Sequence, residues 1–532
     1  VGGNVPCAVV PNANDDIQQT PPAPPAHEQL SAAQRRAVSE LLRVSPVADD
    51  LARRFQEAGF RLALVGGSVR DALLGRLGND LDFTTDARPE DVLRIVRPWA
   101  DAVWEVGIAF GTVGCQKKTR EGGETRTFQV EVTTYRSEAY GDSTSRKPEV
   151  SYGDSVEEDL IRRDFTVNAM AVALPEKTFI DPHGGLEDLA RHVLRTPAAP
   201  ETSFSDDPLR MMRAARFAAQ LDFTVAGDVL GAMRAMADRI AIVSAERVRD
   251  ELNKLLVSAH PVKGIRLLVE TGLAERVLPE IPAMRLERDE HHRHKDVYEH
   301  SLTVLEQAVA LEEDGPDLTL RLAALLHDIG KPRTRRFEPD GRVSFHHHEV
   351  VGAKMTKKRM TALKYSNEMV KDVSRLVELH LRFHGYGTGE WTDSAVRRYV
   401  RDAGPLLPRL HKLTRSDCTT RNKRKAAALS RAYDGLEERI ARLQEQEELD
   451  AIRPDLDGNG IMSVLGVKPG PVVGKAYKYL LELRLENGPM ERDDAVAALK
   501  EWWAGQSQPD AGEEGGGAVD GSAAPGGSER FT

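Results

Sequence analysis

LALVGGSVRDALLGRLGNDLDFTTDA, residues 62–87, is the stretch on which the reading of the fold turns. An apolar run ends in Gly66-Gly67-Ser68, a segment of helical spacing follows, and a second apolar run carries Asp80 and Asp82 with one residue between them. Residues i and i+2 of a strand point to one face. The two carboxylates therefore share a side, as oxygen ligands must if they are to hold a pair of Mg2+ ions close together. The glycine pair allows close backbone approach to phosphate oxygens, with amides free where the helix starts. A third carboxylate would complete such a site. Glu131 in QVEVTTYR is the candidate, because an acid on an apolar strand is costly without a partner.

Outward from this stretch, short β-type runs (RLALVGG, DLDFTT, FGTVGC, TFQVEVTTY, FTVNAMAVAL) alternate with helical stretches and one long polar loop, giving a small α/β head. After Pro208 nearly every segment has helical spacing, so the chain as a whole is α+β, a mixed-sheet head followed by a largely α-helical neck, body and tail. A length of 532 residues is too great for one core. The expected division is a disordered segment 1–30, a head 31–195, a helical neck 196–260, a helical body 261–430, a helical tail 431–505 and a disordered Gly/Ser-rich end 506–532.

Hydrophobic residues make up 40% of the chain and charged residues 29%; no apolar run reaches bilayer length, and the first thirty residues lack the basic and apolar regions of a secretory signal. A cytoplasmic protein without a membrane role is expected. Three cysteines, Cys7, Cys115 and Cys418, are too few and too scattered to staple the chain or bind zinc, and read as reduced thiols. A net charge of -10 argues mildly against nucleic acid. Between Arg397 and Arg431, however, eleven Lys and Arg stand against Asp402 and Asp417, a surplus that either tracks a phosphate backbone or forms a solvated helix face.

The segment GG-x-VRD-x-LLG leading into D-x-D, here Gly66, Gly67, Arg70, Asp71, Asp80 and Asp82, resembles the catalytic signature of the class II RNA nucleotidyltransferases, which comprise CCA-adding enzymes and bacterial poly(A) polymerases. The resemblance runs motif by motif from about Val47 to Leu256 and more loosely to Asn487. It implies a polymerase-β-like head in which Asp80 and Asp82 bind Mg2+ carrying the triphosphate and activating a primer 3'-hydroxyl, with Gly67 and Arg70 beside the nucleotide. DLIRRDFTVNAMA is similar to the family's ribose motif, which puts Arg163, Asp164 and Asn168 near sugar and phosphates. A carboxylate such as Asp164 accepts a hydrogen bond from a 2'-hydroxyl. DPHGGLEDL resembles the family's flexible connector, with Gly184 and Gly185 as hinge points.

In SDDPLRMMRAARF, Asp207, Arg210 and Arg213 are spaced three apart, which puts acid and guanidinium together on one helical face. Cytosine and adenine each present an exocyclic amine beside a ring-nitrogen acceptor, so one Asp acceptor and one Arg donor can select both. Where the family has Glu-Asp this chain has Asp206-Asp207, which leaves the first acid's role less secure. Glu246 and Arg247 in AERVRDEL resemble the last catalytic motif, read as support for that helix. Poly(A) polymerases share all these motifs. The Gly107-Ile108-Ala109-Phe110-Gly111 segment resembles the CCA-adding branch, and a long loop keeping Arg146 and Lys147 favours addition of C, C and A over CC alone.

His300, His327-Asp328, His348, His380 and Asp417 follow the order of the HD phosphohydrolase superfamily, which they resemble; adjacent His and Asp offer nitrogen and oxygen to a divalent ion. In similar enzymes this domain removes phosphates or opens 2',3'-cyclic phosphates at tRNA ends, and some relatives keep the fold without the activity. A Gly-Val-Lys-Pro-Gly turn before a helix with Lys475 and Lys478 resembles a tail that contacts the tRNA elbow, and Lys423, Arg424 and Lys425 are further RNA-binding candidates. The implied partners are tRNA, CTP and ATP, bound by a monomer or weak homodimer. Two other readings remain: an HD phosphohydrolase whose head is a platform, and a non-catalytic RNA-binding protein, which would leave the paired acids without a purpose.

Overall fold

The computed structural model describes residues 46–76, 78–105, 107–121, 124–136, 152–153, 155–285, 296–340, 343–385, 391–419, 423–447 and 453–506. The expected disordered ends, Cys7, and the loop residues Arg146 and Lys147 lie outside them. The chain forms two compact units, one of residues up to 282 together with 362–364, the other of the remainder.

The first unit is built on a seven-stranded sheet of order β3-β4-β5-β2-β1-β6-β7. Its strands are β1 (Leu62–Val65), β2 (Asp80–Thr85), β3 (Ala102–Trp104), β4 (Thr112–Glu121), β5 (Glu124–Thr134), β6 (Ala171–Leu174) and β7 (Thr178–Ile180). Only β2 and β5 pair in parallel, at the centre of the sheet. The helices Pro46–Glu57 and Pro89–Val96 lie on it, burying Leu51, Phe55, Val92 and Val96. Strands β3 and β7, three residues each, are too short to show a period-two pattern in the sequence. FTVNAMAVAL is strand only from Ala171, because Thr166–Asn168 forms a 3-10 turn. The Asp164 carboxylate accepts from the Phe165 amide at 2.8 Å and from Asn168 Nδ2 at 2.9 Å, which curls the backbone away from extended geometry.

The connector is tightly held. Asp181 accepts from the amides of Gly185 and Leu186, at 2.7 and 2.9 Å, and Gly184 takes a left-handed φ of 70°. A Cβ on Gly185 would stand 2.2 Å from the Thr166 carbonyl oxygen, so this residue serves close packing of the helix Gly185–Arg191 on the ribose motif and is not a hinge point. Thr166 Oγ1 donates to Asp188 across the same contact, at 2.7 Å. Replacing Gly185 with alanine is expected to cost about 2 kcal/mol of stability through overpacking, read as a lowered Tm. At Gly184 the added methyl meets open space, and the cost, roughly 1 kcal/mol, comes from the left-handed φ alone.

Beyond the head, the helix Leu209–Leu221 is the centre of the neck, buried over most of its length. Helices Ala245–Leu256 and Pro261–Glu270 pack on it; a Cβ on Gly264 would meet Leu255 Cγ at 2.7 Å and the Ala215 carbonyl at 3.0 Å. The neck thus runs past residue 260, where the sequence placed the start of the body.

The second unit is helical. Val297–Ala310, Leu318–Leu326, His348–Ala362, Asn367–Leu379 and Leu407–Ser416 form its middle, and Gly458–Leu465, Pro471–Asn487 and Arg492–Gln506 close around a separate core of Leu456, Ile461, Ala476, Leu480, Ala495 and Leu499. Much of the basic run is spent internally. Arg397 donates to the carbonyls of Leu485 and Glu486, Arg398 pairs with Glu482 and Glu486, Arg401 with Asp402, Arg409 with Asp317, and Arg415 with Asp434 and Glu437. These arginines are spent on contacts within the unit. Among the described residues no helix is long and apolar enough to cross a membrane. Burial pushes the Cys115 thiol up to about 12, which makes it inert, and Cys418 is half-buried and free.

Candidate functional site

The parallel register of β2 and β5 sets Asp82 beside Glu131, and Asp80 lies one pleat back on the same face. Ser68, which sequence reasoning passed over, joins this strand to the Gly-Gly turn: its hydroxyl accepts from the Asp82 amide at 2.9 Å and donates to the Asp80 carbonyl at 3.2 Å. Gly66 has a φ of 68°, and a Cβ there would stand 2.7 Å from an Arg163 guanidinium nitrogen, so glycine is needed both for the turn and for Arg163 to reach across it. Gly67 opens the helix Gly67–Leu73. Burial, then the Glu131 charge and that of Asp80, push the Asp82 carboxyl up to about 6 against the opposing pull of Arg163 and Arg70. A buried carboxylate crowded by two acidic neighbours suits divalent cations, whose charge would relieve the repulsion.

Behind the acids runs a buried chain of charges. Arg70 donates to Asp71 and, at 2.6 Å, to Asn168 Oδ1; Asn168 donates to Asp164; Asp164 accepts from Arg213 Nε at 2.8 Å. Arg213 lies 3.7 Å from Glu251, which accepts from Arg216 at 2.6 Å. Buried as it is, Asp164 is held well below the usual carboxylate range by Arg213, Asn168 and Arg210, which overcome the desolvation. Both of its oxygens are already engaged, so in this structure it holds Asn168 and Arg213 in place and offers no oxygen to a ribose hydroxyl. Arg216 and Glu251 were not singled out from the sequence. Their spacing from Arg213 and across helices gave only the ordinary pattern of a salt-bridged surface.

The neck rearranges the expected base-reading trio. Asp207 is extended, with φ −142°, at the end of the helix Pro200–Asp206, and Pro208 separates it from the helix that carries Arg210 and Arg213. One Asp207 oxygen caps Leu209 N at 3.1 Å and the other pairs with Arg247 at 2.8 Å, so the acid's guanidinium partner is Arg247. Arg210 donates to Ser203 Oγ at 2.9 Å and to the Arg162 carbonyl. Glu246 opens the helix Ala245–Leu256 in its first turn.

In the second unit all six His and Asp candidates converge. His300, His327 and Asp417 form one donor set and Asp328, His348 and His380 another, each with ligand atoms within 4.8 Å of one another. Asp328 faces both: Oδ2 lies 3.4 Å from His300 Nε2 and 3.2 Å from His327 Nε2, and Oδ1 lies 3.2 Å from His348 Nε2. The outer nitrogens are fixed by carbonyls, His327 by Ala324, His348 by Phe345 and His380 by Val377, so each Nε2 points inward. Three of the inward atoms, Asp328 Oδ1, His348 Nε2 and His380 Nε2, are buried without a hydrogen-bond partner, which would be costly unless a cation took their lone pairs. Burial, followed by the His327 charge, pushes His380 down to about 3 and keeps its ring neutral, as a ligand must be. The donor set therefore fits divalent cations, which His300, His327, Asp328, His348, His380 and Asp417 would hold. Gly330 makes the approach possible, since a Cβ there would stand 2.1 Å from the His348 carbonyl. Lys331, missed in the sequence although it follows Asp328 by one helical turn, donates to Asp328 Oδ2 at 2.6 Å.

Of the RNA-binding candidates, Lys475 and Lys478 are exposed on the helix Pro471–Asn487 with Tyr477 between them. Lys423 and Lys425 fall in the first turn of the helix Lys423–Glu447, and Arg424 is exposed there.

Paired strand acids beside a Gly-Gly turn in one unit and a cluster of four histidines and two aspartates in the other are the marks of a nucleotidyltransferase head and an HD domain. The Poly A polymerase head domain family matches residues 62–195, the probable RNA- and SrmB-binding site of polymerase A matches 222–284, and the HD domain matches 297–422. The chain is 36% identical to an A-adding tRNA nucleotidyltransferase of Deinococcus radiodurans over 83% of its length and 95% of the relative. It is 32% identical to a CC-adding tRNA nucleotidyltransferase of Thermus thermophilus, over 83% of this chain and 94% of the relative. The Bacillus stearothermophilus CCA-adding enzyme, solved in complex with CTP, superposes with a TM-score of 0.61 at 25% identity, over 88% of this chain and 98% of that one. The chain belongs to the tRNA nucleotidyltransferase and poly(A) polymerase family.

Proposed function

We propose that this enzyme adds C, C and A to the 3' end of tRNA from CTP and ATP, and that its HD centre clears terminal phosphates from tRNA ends. The observation that carries the first half is the register of Asp82 beside Glu131, with Ser68 tying both aspartates to the Gly-Gly turn. Asp80, Asp82 and Glu131 would hold Mg2+, which when bound polarises the phosphoryl oxygens and lowers the pKa of the attacking hydroxyl. The Gly67 amide, at the start of its helix, and the Arg163 guanidinium are the groups that would receive a triphosphate. Asp207 is partly exposed, so a cytosine or adenine amine can displace Arg247 from Asp207 Oδ2, with Arg210 supplying the donor. Asn168 and Asp164 act by fixing Arg70 and Arg213. Lys475, Lys478 and the Lys423, Arg424, Lys425 turn supply cations for the tRNA backbone. The work is placed in the cytoplasm, where its substrate is made.

A second reading has a specific observation behind it, because the two relatives matched over nearly their whole length carry the names A-adding and CC-adding. The test incubates the protein and Mg2+ with tRNA transcripts ending at the discriminator base or at CC, with CTP and ATP separately and together, and resolves products to one nucleotide. Addition that stops after C, C and A is expected. Growth only on the CC transcript would make the chain an A-adding enzyme, arrest after two C a CC-adding one, and a long A tail a poly(A) polymerase.

A further inference from the structure

Between the metal ligands Asp328 and His348 the chain leaves the helical body and forms a small hairpin. Arg336 pairs with Ser344 and Phe337 with Val343 in antiparallel register. Both roots are built into the metal centre. On the outgoing side Lys331 donates to Asp328 and lies 5.8 Å from the centroid of the Phe345 ring. On the returning side the Phe345 carbonyl accepts from His348 Nδ1 at 2.8 Å, fixing that ligand.

Nothing in the hairpin's packing explains its outer surface. Phe337 is 70% exposed, although an aromatic residue on a strand ordinarily packs against its cross-strand partner. The Arg335 guanidinium lies over the Phe337 ring, 4.8 Å from its centroid, which leaves a cation and an aromatic ring together on the surface. Arg333 and Arg336 are exposed, and among the described residues neither is paired with a carboxylate. Of the nearby acids, Glu338 is occupied by Ser344 Oγ and Asp340 stands at the far turn. An exposed ring under Arg335, with Arg333 and Arg336 exposed on the same segment, has the composition that holds single-stranded nucleic acid, with a base stacked on the ring and phosphates on the cations.

We propose that this hairpin is a docking site for single-stranded RNA, which holds the last nucleotides of a strand so that its terminal phosphate enters the HD centre. The proposal rests on the reading of that centre as a phosphohydrolase. In the reaction, water adds to phosphorus, the P–O bond to the terminal ribose breaks, and the ribose oxygen takes the proton. The hairpin makes the centre selective for a polynucleotide over a small phosphate ester, because only a strand reaches from the metal ligands to Phe337.

The full-length protein, loaded with divalent metal, would be given a fluorescent single-stranded RNA ending in a 2',3'-cyclic phosphate and, separately, bis(p-nitrophenyl) phosphate. Phe337→Ala is expected to raise KM for the RNA about 5- to 100-fold, the range of one lost base stack, with kcat and hydrolysis of the small diester little changed. Arg335→Gln with Arg336→Gln should raise the same KM and flatten its dependence on salt. An RNA KM within twofold of wild type, or an equal fall on both substrates, would overturn the proposal. If the wild type hydrolyses neither compound, the phosphohydrolase reading fails by itself. Fluorescence anisotropy of the same RNA then decides the docking site, which is lost if Phe337→Ala binds as tightly as wild type.

Discussion

Asp82→Ala is expected to lower nucleotide addition by about 1,000-fold or more, as loss of a metal ligand that contributes several kcal/mol to phosphoryl transfer requires. The fold should not suffer. Asp82 carries a carboxyl pushed up to about 6 by burial and by Glu131, so its ionised form is a burden on the metal-free protein. The sign follows directly: a carboxyl whose pKa is higher folded than unfolded loses stability as pH rises between the two values. Metal-free Asp82→Asn is therefore expected to equal wild type in Tm near pH 4 and to gain on it up to about pH 6, by on the order of 2 kcal/mol at the plateau. Thermal melts across pH, beside single-nucleotide product gels, measure both effects. A variant that melts well below wild type at neutral pH would show Asp82 to be structural and would remove the case for a metal ligand.

Asp328→Ala should strip the second unit of its metal and of phosphate release. Each Asp328 oxygen faces a different donor set, so one substitution breaks both, with a loss of metal affinity beyond the roughly 100-fold seen when only an outer partner of a metal ligand is removed. Lys331 loses its carboxylate at the same time. Nucleotide addition should stay within about twofold, since Asp80, Asp82 and Glu131 belong to the other unit. Plasma mass spectrometry of dialysed protein gives the metal content. An unchanged content would show that the buried His and Asp cluster is not the metal centre.

The shared face of the two candidate acids was legible in the sequence because strand alternation needs no partner to be read: Asp80 and Asp82 share a face wherever β2 lies. Glu131 required only that an acid on an apolar strand should have a reason to be there, and the parallel register supplies it. The Asp207, Arg210 and Arg213 trio was misread because helical spacing was counted through Pro208. A residue before proline is biased away from helical geometry, and Asp207 is extended for that reason. That signal was present and outweighed by the spacing. Ser68, Glu251 and Arg216 were not legible, since their partners lie across loops and helices that spacing does not relate. Within the basic run, Arg398 and Arg409 look free in sequence because their partners Glu482, Glu486 and Asp317 sit many residues away.

The buried line of charge from Arg70 through Asn168, Asp164 and Arg213 to Glu251 crosses the border between sheet and neck. A chimaera that grafted this head onto a foreign neck would strand Asp164, leaving a carboxylate in the interior without its guanidinium. What can be exchanged between members of such a family is therefore the whole block from Leu62 to Leu256. Lineages that have parted in the nucleotide they add are expected to have changed inside that block while passing it on undivided.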